Sequence, residues 1–378
     1  MDTYVIIATY ENPKEAYYVK FRLGLEGIDA YLLEQAIDTE SNIHEKGNPL
    51  KVQVDINKVE ESIKILFDIK KELEGSSIEE KIKSIKRILV PIDFSDNSLT
   101  ACLFAFALAK KLSAEIKLLH VYNDPFLDSG FSPNRISYQN FSRNVLNEIE
   151  DMVKKNLTGF LNKLQKELNK YHLNEVKYHY NLRKGKPEYQ IIKLSEVYRP
   201  FIIVIGTQGA GKMPNDIIGR VATKVIENTS VPILAIPQNW KFKEFEKTNL
   251  LYATDFHDSD FSSFNKLIEI TKPFNIHFHC IHIETSESAP WKEMQMFKLE
   301  SYLSKTYSEL PINCHLINHP NLLEGIQEFV DKSDIDIISF TSPKRSTLYK
   351  LLFPNNLKKM VYQSKTPLLV FHAESTNF

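Results

Sequence analysis

Glycine is scarce in this chain. There are 12 in 378 residues, about 3% where roughly 7% is usual. Four of them, Gly206, Gly209, Gly211 and Gly219, fall within fourteen residues, and only Gly325 follows. A chain that gathers its few glycines in one loop asks the backbone there for something other residues forbid. Cysteine is scarcer. Cys102, Cys280 and Cys314 form no C-x-x-C pair and no even set, which excludes a disulfide scaffold and a zinc knuckle. Free thiols suit a reducing cytosol, so a cytoplasmic protein is expected. Excess charge is also missing. Lys+Arg 47 against Asp+Glu 48 leaves −1, which excludes the bulk electrostatics of a general nucleic-acid binder but not a local basic patch. No apolar run approaches the ~18 residues of a membrane span, and the start, with an acid at position 2, is not a signal peptide.

What is present describes a globular protein. Hydrophobic residues are 43% and charged residues 25%, enough to build cores and too apolar for a mainly disordered chain. The length suggests two or three domains. The first, residues 1–75, reads βαββα, a small ferredoxin-like half. YVIIATY, IDAYLL and LKVQVD are strands. A helix opens at Asn12-Pro13 and stops at Gly27. Asn57 with Glu60 reads as a capping box for a second helix. No group here looks catalytic. The pattern resembles a small bacterial signal-transducing domain family of unknown function. Residues 72–83 read as a charged connector.

The second segment, 84–238, alternates strands and helices. KRILVPIDFS ends in Asp93, and Ser95 or Asp96 caps a helix whose unbroken apolar character predicts burial. IKLLHVY, VKYHYNL, FIIVIG and VPILAIP complete five strands. Such alternation calls for a parallel sheet covered on both faces. The third segment, 246–373, repeats the order. LLYATDF matches ILVPIDF, with Asp255 in the place of Asp93. IDIISFTS matches FIIVIGTQ, and TPLLVFH matches VPILAIP. The spacing of about 160 residues marks a domain duplication.

The glycine loop directly follows a strand and leads into a helix. Exposed loop amides and helix N-termini bind anions. In an open α/β sheet, ligands sit at the carboxyl ends of strands where the strand order reverses. Asp93 and Gly206 both lie at such ends. KRILVPIDFS, LLHVY, FIIVIGTQGAGKMPNDIIGRV and VPILAIP together resemble the universal stress protein family. Its nucleotide-binding members carry G-x-x-G, nine residues, then G with Ser or Thr. The resemblance spans about Arg87 to Pro237 and, more weakly, Asn249 to Phe371. It implies a doubly wound sheet of order 3-2-1-4-5 in each repeat and an adenine nucleotide, ATP or AMP, with or without Mg, in the first.

Carried over residue by residue, the resemblance puts Pro91, Ile92 and Asp93 on the adenosine side and the Val121 backbone at the adenine edge. Gly206, Gly209 and Gly219 shape the phosphate loop, with Gln208, Gly211 and Val221 alongside. Arg220 departs from the pattern, standing where binding members carry a hydroxyl. It either replaces that donor as a cation or points to solvent. In the second repeat Phe340 and Pro343 replace the first two glycines, and Phe353 or Pro354 the third, so no nucleotide is expected there.

Gly206-x4-Gly211-Lys212 also resembles a P-loop. Met213 takes the place of its magnesium-binding hydroxyl, which argues against a P-loop hydrolase. Lys212 then contacts phosphate or is simply solvated. His277, His279, Cys280 and His282 cluster on one strand, but alternation splits them between two faces, so structural histidines are expected over a metal site. Cys102 reads as packing. The aromatic stretch 125–141 is a lid or an insertion. VPILAIP and TPLLVFH would be exposed sheet edges. The resemblance implies that they pair across a dimer interface, here within one chain as a pseudo-dimer, with a homodimer also open.

No partner base or nucleophile accompanies Asp93, so any hydrolysis is expected to be slow and no catalytic residue is assigned. The expected function is stress response or signalling through a bound adenine nucleotide. The alternative is a nucleotide-free scaffold for protein partners. No membrane or nucleic-acid partner is expected.

Overall fold

The computed structural model describes residues 4–10, 13–34, 50–73, 86–122, 136–208, 219–238, 240–242, 247–256, 258–285, 290–342 and 366–372. The chain divides into two compact units, Met1–Lys86 with Tyr178–Asn181, and Arg87–Lys177 with Leu182–Phe378.

The first unit runs β1 (Tyr4–Tyr10), α1 (Pro13–Leu25), β2 (Ala30–Glu34), β3 (Leu50–Asp55) and α2 (Val59–Leu73). Its three strands lie in the order β1-β3-β2, all antiparallel. Leu50, Val52 and Val54 alternate inward from β3 and meet Ala16, Val19 and Leu23 of α1. Gly27 leaves the helix at a φ of 76°, a conformation that glycine adopts without strain. The entry to α2 differs from the sequence expectation. Asp55, not Asn57, is the cap. Its carboxylate accepts from the Asn57 amide at 2.8 Å and holds a 3₁₀ turn that feeds the helix. Asp55 closes the preceding strand, so its capping role is hidden in a strand pattern.

The second unit is built on a ten-stranded sheet. Its first half contains β4 (Arg87–Ile92), α3 (Asp96–Leu112), β5 (Glu115–Tyr122), α4 (Ile136–Lys170), β6 (Tyr178–Lys184), α5 (Pro187–Tyr198), β7 (Ile202–Gly206), α6 (Arg220–Asn228) and β8 (Ile233–Ile236). The second half contains β9 (Thr248–Ala253), α7 (Asp258–Thr271), β10 (Ile276–Glu284), α8 (Pro290–Thr306), β11 (Ile312–Asn318), α9 (Leu322–Lys332), β12 (Ile337–Ser342) and β13 (Leu368–His372). The sheet order is β11-β10-β9-β12-β13-β8-β7-β4-β5-β6. Each half therefore has its own strands in the order 3-2-1-4-5.

The β4 run RILVPI is buried at every position, as a parallel strand covered on both faces requires. α3 is buried over nearly its whole length, which is why its sequence shows no polar face. It starts at Ser95, whose side chain accepts from the Ser98 amide, and ends at Ser113 in the left-handed region. Cys102 is fully buried in this helix.

β8 and β13 meet in the middle of the sheet. They pair antiparallel, with Leu368 opposite Ala235, Leu369 opposite Leu234 and Val370 opposite Ile233. The prolines before these strands keep their carbonyls in the ladder. Pro232 accepts from Ile203 and Pro367 from Ile338, each at 2.9 Å. His372 adds a further tie, its Nε2 lying 2.6 Å from the Ile226 carbonyl. The outer strands are β6 and β11.

The seam gives a direct test. Proline removes a backbone donor and is disfavoured within a strand paired on both sides, so Val370→Pro should uncouple the halves. Urea denaturation followed by circular dichroism and tryptophan fluorescence should then resolve two transitions in place of one. A single unshifted transition would show that the seam does not couple them.

Candidate functional site

The carboxyl ends of β4, β5 and β7 lie side by side, the place where an open α/β sheet forms a crevice. β4 lies between the other two, with Ile92 opposite His120 of β5 and Leu89 opposite Ile203 of β7. The chain leaves β4 and β7 toward different neighbours, so this is the point where the strand order reverses. Pro91, Ile92, Asp93, Val121, Gly206 and Gln208 all stand at these ends. Gly219, Arg220 and Val221 join them at the start of α6, because the Gly219 amide donates to the Thr207 carbonyl. Gly209, Gly211 and Lys212 lie outside the described residues, as do Pro343, Phe353, Pro354 and most of the 125–141 stretch.

Asp93 organises the turn after β4. Its Oδ1 accepts from the Ser95 amide at 3.1 Å and from the Ser95 and Ser98 hydroxyls at 2.6 Å each. The Asp93 amide bonds back to Ser98 Oγ at 3.0 Å. This reciprocal net fixes the carboxylate at the mouth of the crevice. Phe94 follows at a φ of 66°, an unusual conformation for an aromatic residue. Its ring stacks on His120 with centroids 4.0 Å apart. His120 Nδ1 lies 2.9 Å from the Ile92 carbonyl, tying β5 to the end of β4.

Gly206 is glycine for a steric reason. A Cβ at this position would lie 2.8 Å from Nδ2 and 3.1 Å from Cγ of Asn97. Asn97, in the first turn of α3, is buried and donates from Nδ2 to the Gln208 carbonyl at 3.0 Å. It thereby pins the strand-to-loop exit. Its Oδ1 is buried and finds no partner among the described residues. Asn97 was not singled out in the sequence, because an Asn in the first helical turn is common. Ser98 and His120 were missed for similar reasons. One signal for the histidine was available: His120 follows Ile92 by the same interval at which His282 follows Thr254.

Among the described residues the N-terminus of α6 has no side-chain cap, Gly219 being the cap residue. Its first amides therefore remain suited to an anion. Arg220 is exposed in this first turn. It lies close enough to Glu188 of α5 to act on that carboxylate. Burial disfavours ionised Glu188, but the 2.9 Å Lys224 ion pair, a backbone hydrogen bond and the Arg220 charge outweigh it. The carboxyl is held below its usual range.

The second half repeats the frame with different contents. Phe256 takes a φ of 60°, and its ring centroid lies 4.5 Å from that of His282. His282 Nδ1 lies 2.7 Å from the Thr254 carbonyl. The place of Gly206 is taken by Phe340, which is 2% exposed. Asp260 takes the place of Ser98. Its buried carboxylate accepts from Thr254 Oγ1 at 2.6 Å and from the Asp255 amide at 3.2 Å. The glycine that admits the Asn97 side chain in the first half is here a buried phenylalanine.

The histidine-rich strand is β10. It is almost wholly buried, not half-exposed as its polar alternation suggested. His277 and His279 share one face, their centroids 4.4 Å apart, and His315 of β11 joins them 5.9 Å from His279. His282 lies on the opposite face. Burial and the neighbouring His277 and His315 push His279 down to about 4. Burial likewise lowers His120 and His282, against the hydrogen bonds that they give to carbonyls.

Residues 84–237 match the Universal stress protein family, so the first half is a domain of that family. A universal stress protein of Methanocaldococcus jannaschii is 29% identical over 173 residues, covering 46% of this chain and 94% of that protein. One of Bacillus subtilis is 29% identical over 151 residues, covering 40% and 97%. Among solved structures, a universal stress protein from Archaeoglobus fulgidus has a TM-score of 0.52 at 18% identity, covering 76% of this chain and 96% of that one. A functionally unknown protein from Pseudomonas aeruginosa has a TM-score of 0.50 at 14% identity, covering 76% and 93%. At such identities the likeness shows the α/β fold, over more of the chain than residues 84–237. No helix among the described residues is long and apolar enough to cross a membrane.

Two outcomes are expected. Gly206→Ala forces its Cβ into buried Asn97 and should cost about 1–3 kcal/mol in urea denaturation; an unchanged midpoint would show that Asn97 can move aside. The lowered histidines bind protons more readily unfolded than folded, so stability falls as pH drops from the ordinary 6.5 toward about 4. His279→Gln should flatten that slope, and an unaltered slope would remove His279 as its source.

Proposed function

We propose that the first half holds one adenine nucleotide, ATP or AMP, and that the protein acts in stress response or signalling through that occupancy. The observation that carries this reading is the uncapped N-terminus of α6 beside the β7 exit. Asn97 packs against Gly206 and pins that exit through the Gln208 carbonyl, within a domain of the universal stress protein family. The adenosine would lie along Pro91, Ile92 and Asp93, with the Val121 backbone at the base. The phosphates, with or without Mg, would lie toward Gly206, Gln208, Gly219, Arg220 and Val221, and toward Gly209, Gly211 and Lys212 of the loop. Such a ligand supplies negative charge, which suits the amides of α6 and the Arg220 cation.

The second half serves as a structural partner in a tandem arrangement, because Phe340 fills the position that backbone approach requires. The protein works in the cytoplasm and needs no catalytic group; hydrolysis of the nucleotide is slow. The exposure of Arg220 and its proximity to Glu188 favour a second reading, a nucleotide-free scaffold for protein partners. In that reading Arg220 serves the α5–α6 surface and the crevice stays empty.

Mass spectrometry of small molecules released on denaturing the natively purified chain should find one adenine nucleotide per chain. Calorimetry with ATP and AMP should show one site, weakened at least tenfold by Gly206→Val and by Gly209→Val. No heat at millimolar ATP or AMP would overturn the nucleotide reading and leave the scaffold.

A further inference from the structure

The outer strands of the second half bring two of the three cysteines together. Cys280 of β10 and Cys314 of β11 are direct register partners. Neighbouring strands stand about 4.8 Å apart, so a register pair falls within the Cα separation of about 4.4–6.8 Å that a disulfide spans. Both side chains leave the same face of the sheet, close enough for each thiol to shift the ionisation of the other. Their surroundings differ. Cys280 is fully buried in the row Tyr252–Cys280–Cys314 across β9, β10 and β11. Cys314 is partly exposed on β11, which among the described residues pairs with a strand on one side only.

We propose that Cys314 and Cys280 form a dithiol pair oxidised by hydroperoxides, with Cys314 as the attacking thiol and Cys280 as the resolving thiol. The unequal surroundings agree with these roles. The neighbouring Cys280 lowers the pKa of Cys314 against burial and the nearby Glu300 carboxylate. Cys314 and full burial raise that of Cys280. Exposure and thiolate character decide which thiol reacts first.

In the first step the Cys314 thiolate attacks a peroxide oxygen. The S–O bond forms, the O–O bond breaks, and the leaving alkoxide or hydroxide takes up a proton. Cys314 becomes a sulfenic acid, oxidised by two electrons. In the second step Cys280 loses its proton and attacks the Cys314 sulfur. The S–S bond forms, the S–O bond breaks, and the departing hydroxide becomes water. In sum, two thiols and one hydroperoxide give one disulfide, one alcohol (water when the oxidant is hydrogen peroxide) and one water. A thiol reductant reverses the change by exchange.

The test uses the folded full-length chain, hydrogen peroxide, and peptide mapping by mass spectrometry. Peptides carrying Cys280 and Cys314 should become linked within one chain, two hydrogens lighter, and separate again with dithiothreitol. Cys280→Ser should leave a sulfenic acid on Cys314 that dimedone traps. Cys314→Ser should leave Cys280 reduced, and Cys102 should stay reduced throughout. The proposal is overturned if the native chain keeps Cys314 as a trappable sulfenic acid without the link. It is equally overturned if Cys102 or Cys280 reacts as fast as Cys314, or if no thiol reacts under conditions that oxidise free glutathione.

Discussion

The antiparallel pairing of β8 with β13 is the constraint on which the second unit rests. Each half ends in an apolar strand that, alone, would present an unpaired row of backbone groups. Joining them places both strands at the centre of one ten-stranded sheet. It also sets where sites can form. Strands within each half are parallel, and the seam reverses direction, so the carboxyl ends of the two halves point to opposite ends of the sheet. The crevice beside Gly206 and its counterpart beside Phe340 therefore face away from each other. They cannot merge into one shared site, and each half must supply its own ligand contacts.

Within this shared frame the halves have diverged where ligand approach matters and stayed alike where the backbone needs support. Both keep an aromatic residue in the left-handed region after the first strand. In both, a histidine one strand over braces the carbonyl at the end of that strand. These features hold turns. At the exit of the fourth strand the likeness ends. In the first half a glycine admits the side chain of Asn97. In the second, a buried phenylalanine stands at that position, and the turn is held by a buried carboxylate in place of a serine hydroxyl.

Several buried polar groups in the second unit close turns or join strands. Asp93, Asp260, His120 and His282 each have such a bond. Asn97 Oδ1 is among the buried polar atoms that find no hydrogen-bond partner among the described residues. An unmet acceptor in that position is costly unless something meets it. The thiol pair at the far edge of the sheet differs again, since its two members are register partners with unequal exposure.

The sequence by itself determined much of this protein. The apolar runs of β4 and β7 and the all-apolar α3 announced buried parallel strands and a covering helix, because burial on both faces leaves no polar position. The repeated endings in Asp93 and Asp255, and the glycines gathered after β7, pointed to the carboxyl ends of these strands, because strand ends and glycine-rich exits are readable from residue type alone. Tertiary structure decided the rest. Asn97, Ser98 and His120 look ordinary in a linear chain, and their roles depend on partners on other elements. The burial of β10 was hidden by its histidines, whose polarity is met by neighbours the sequence does not place beside them. The pairing of Cys280 with Cys314 depends on register, which is fixed only when two strands far apart in the chain lie side by side.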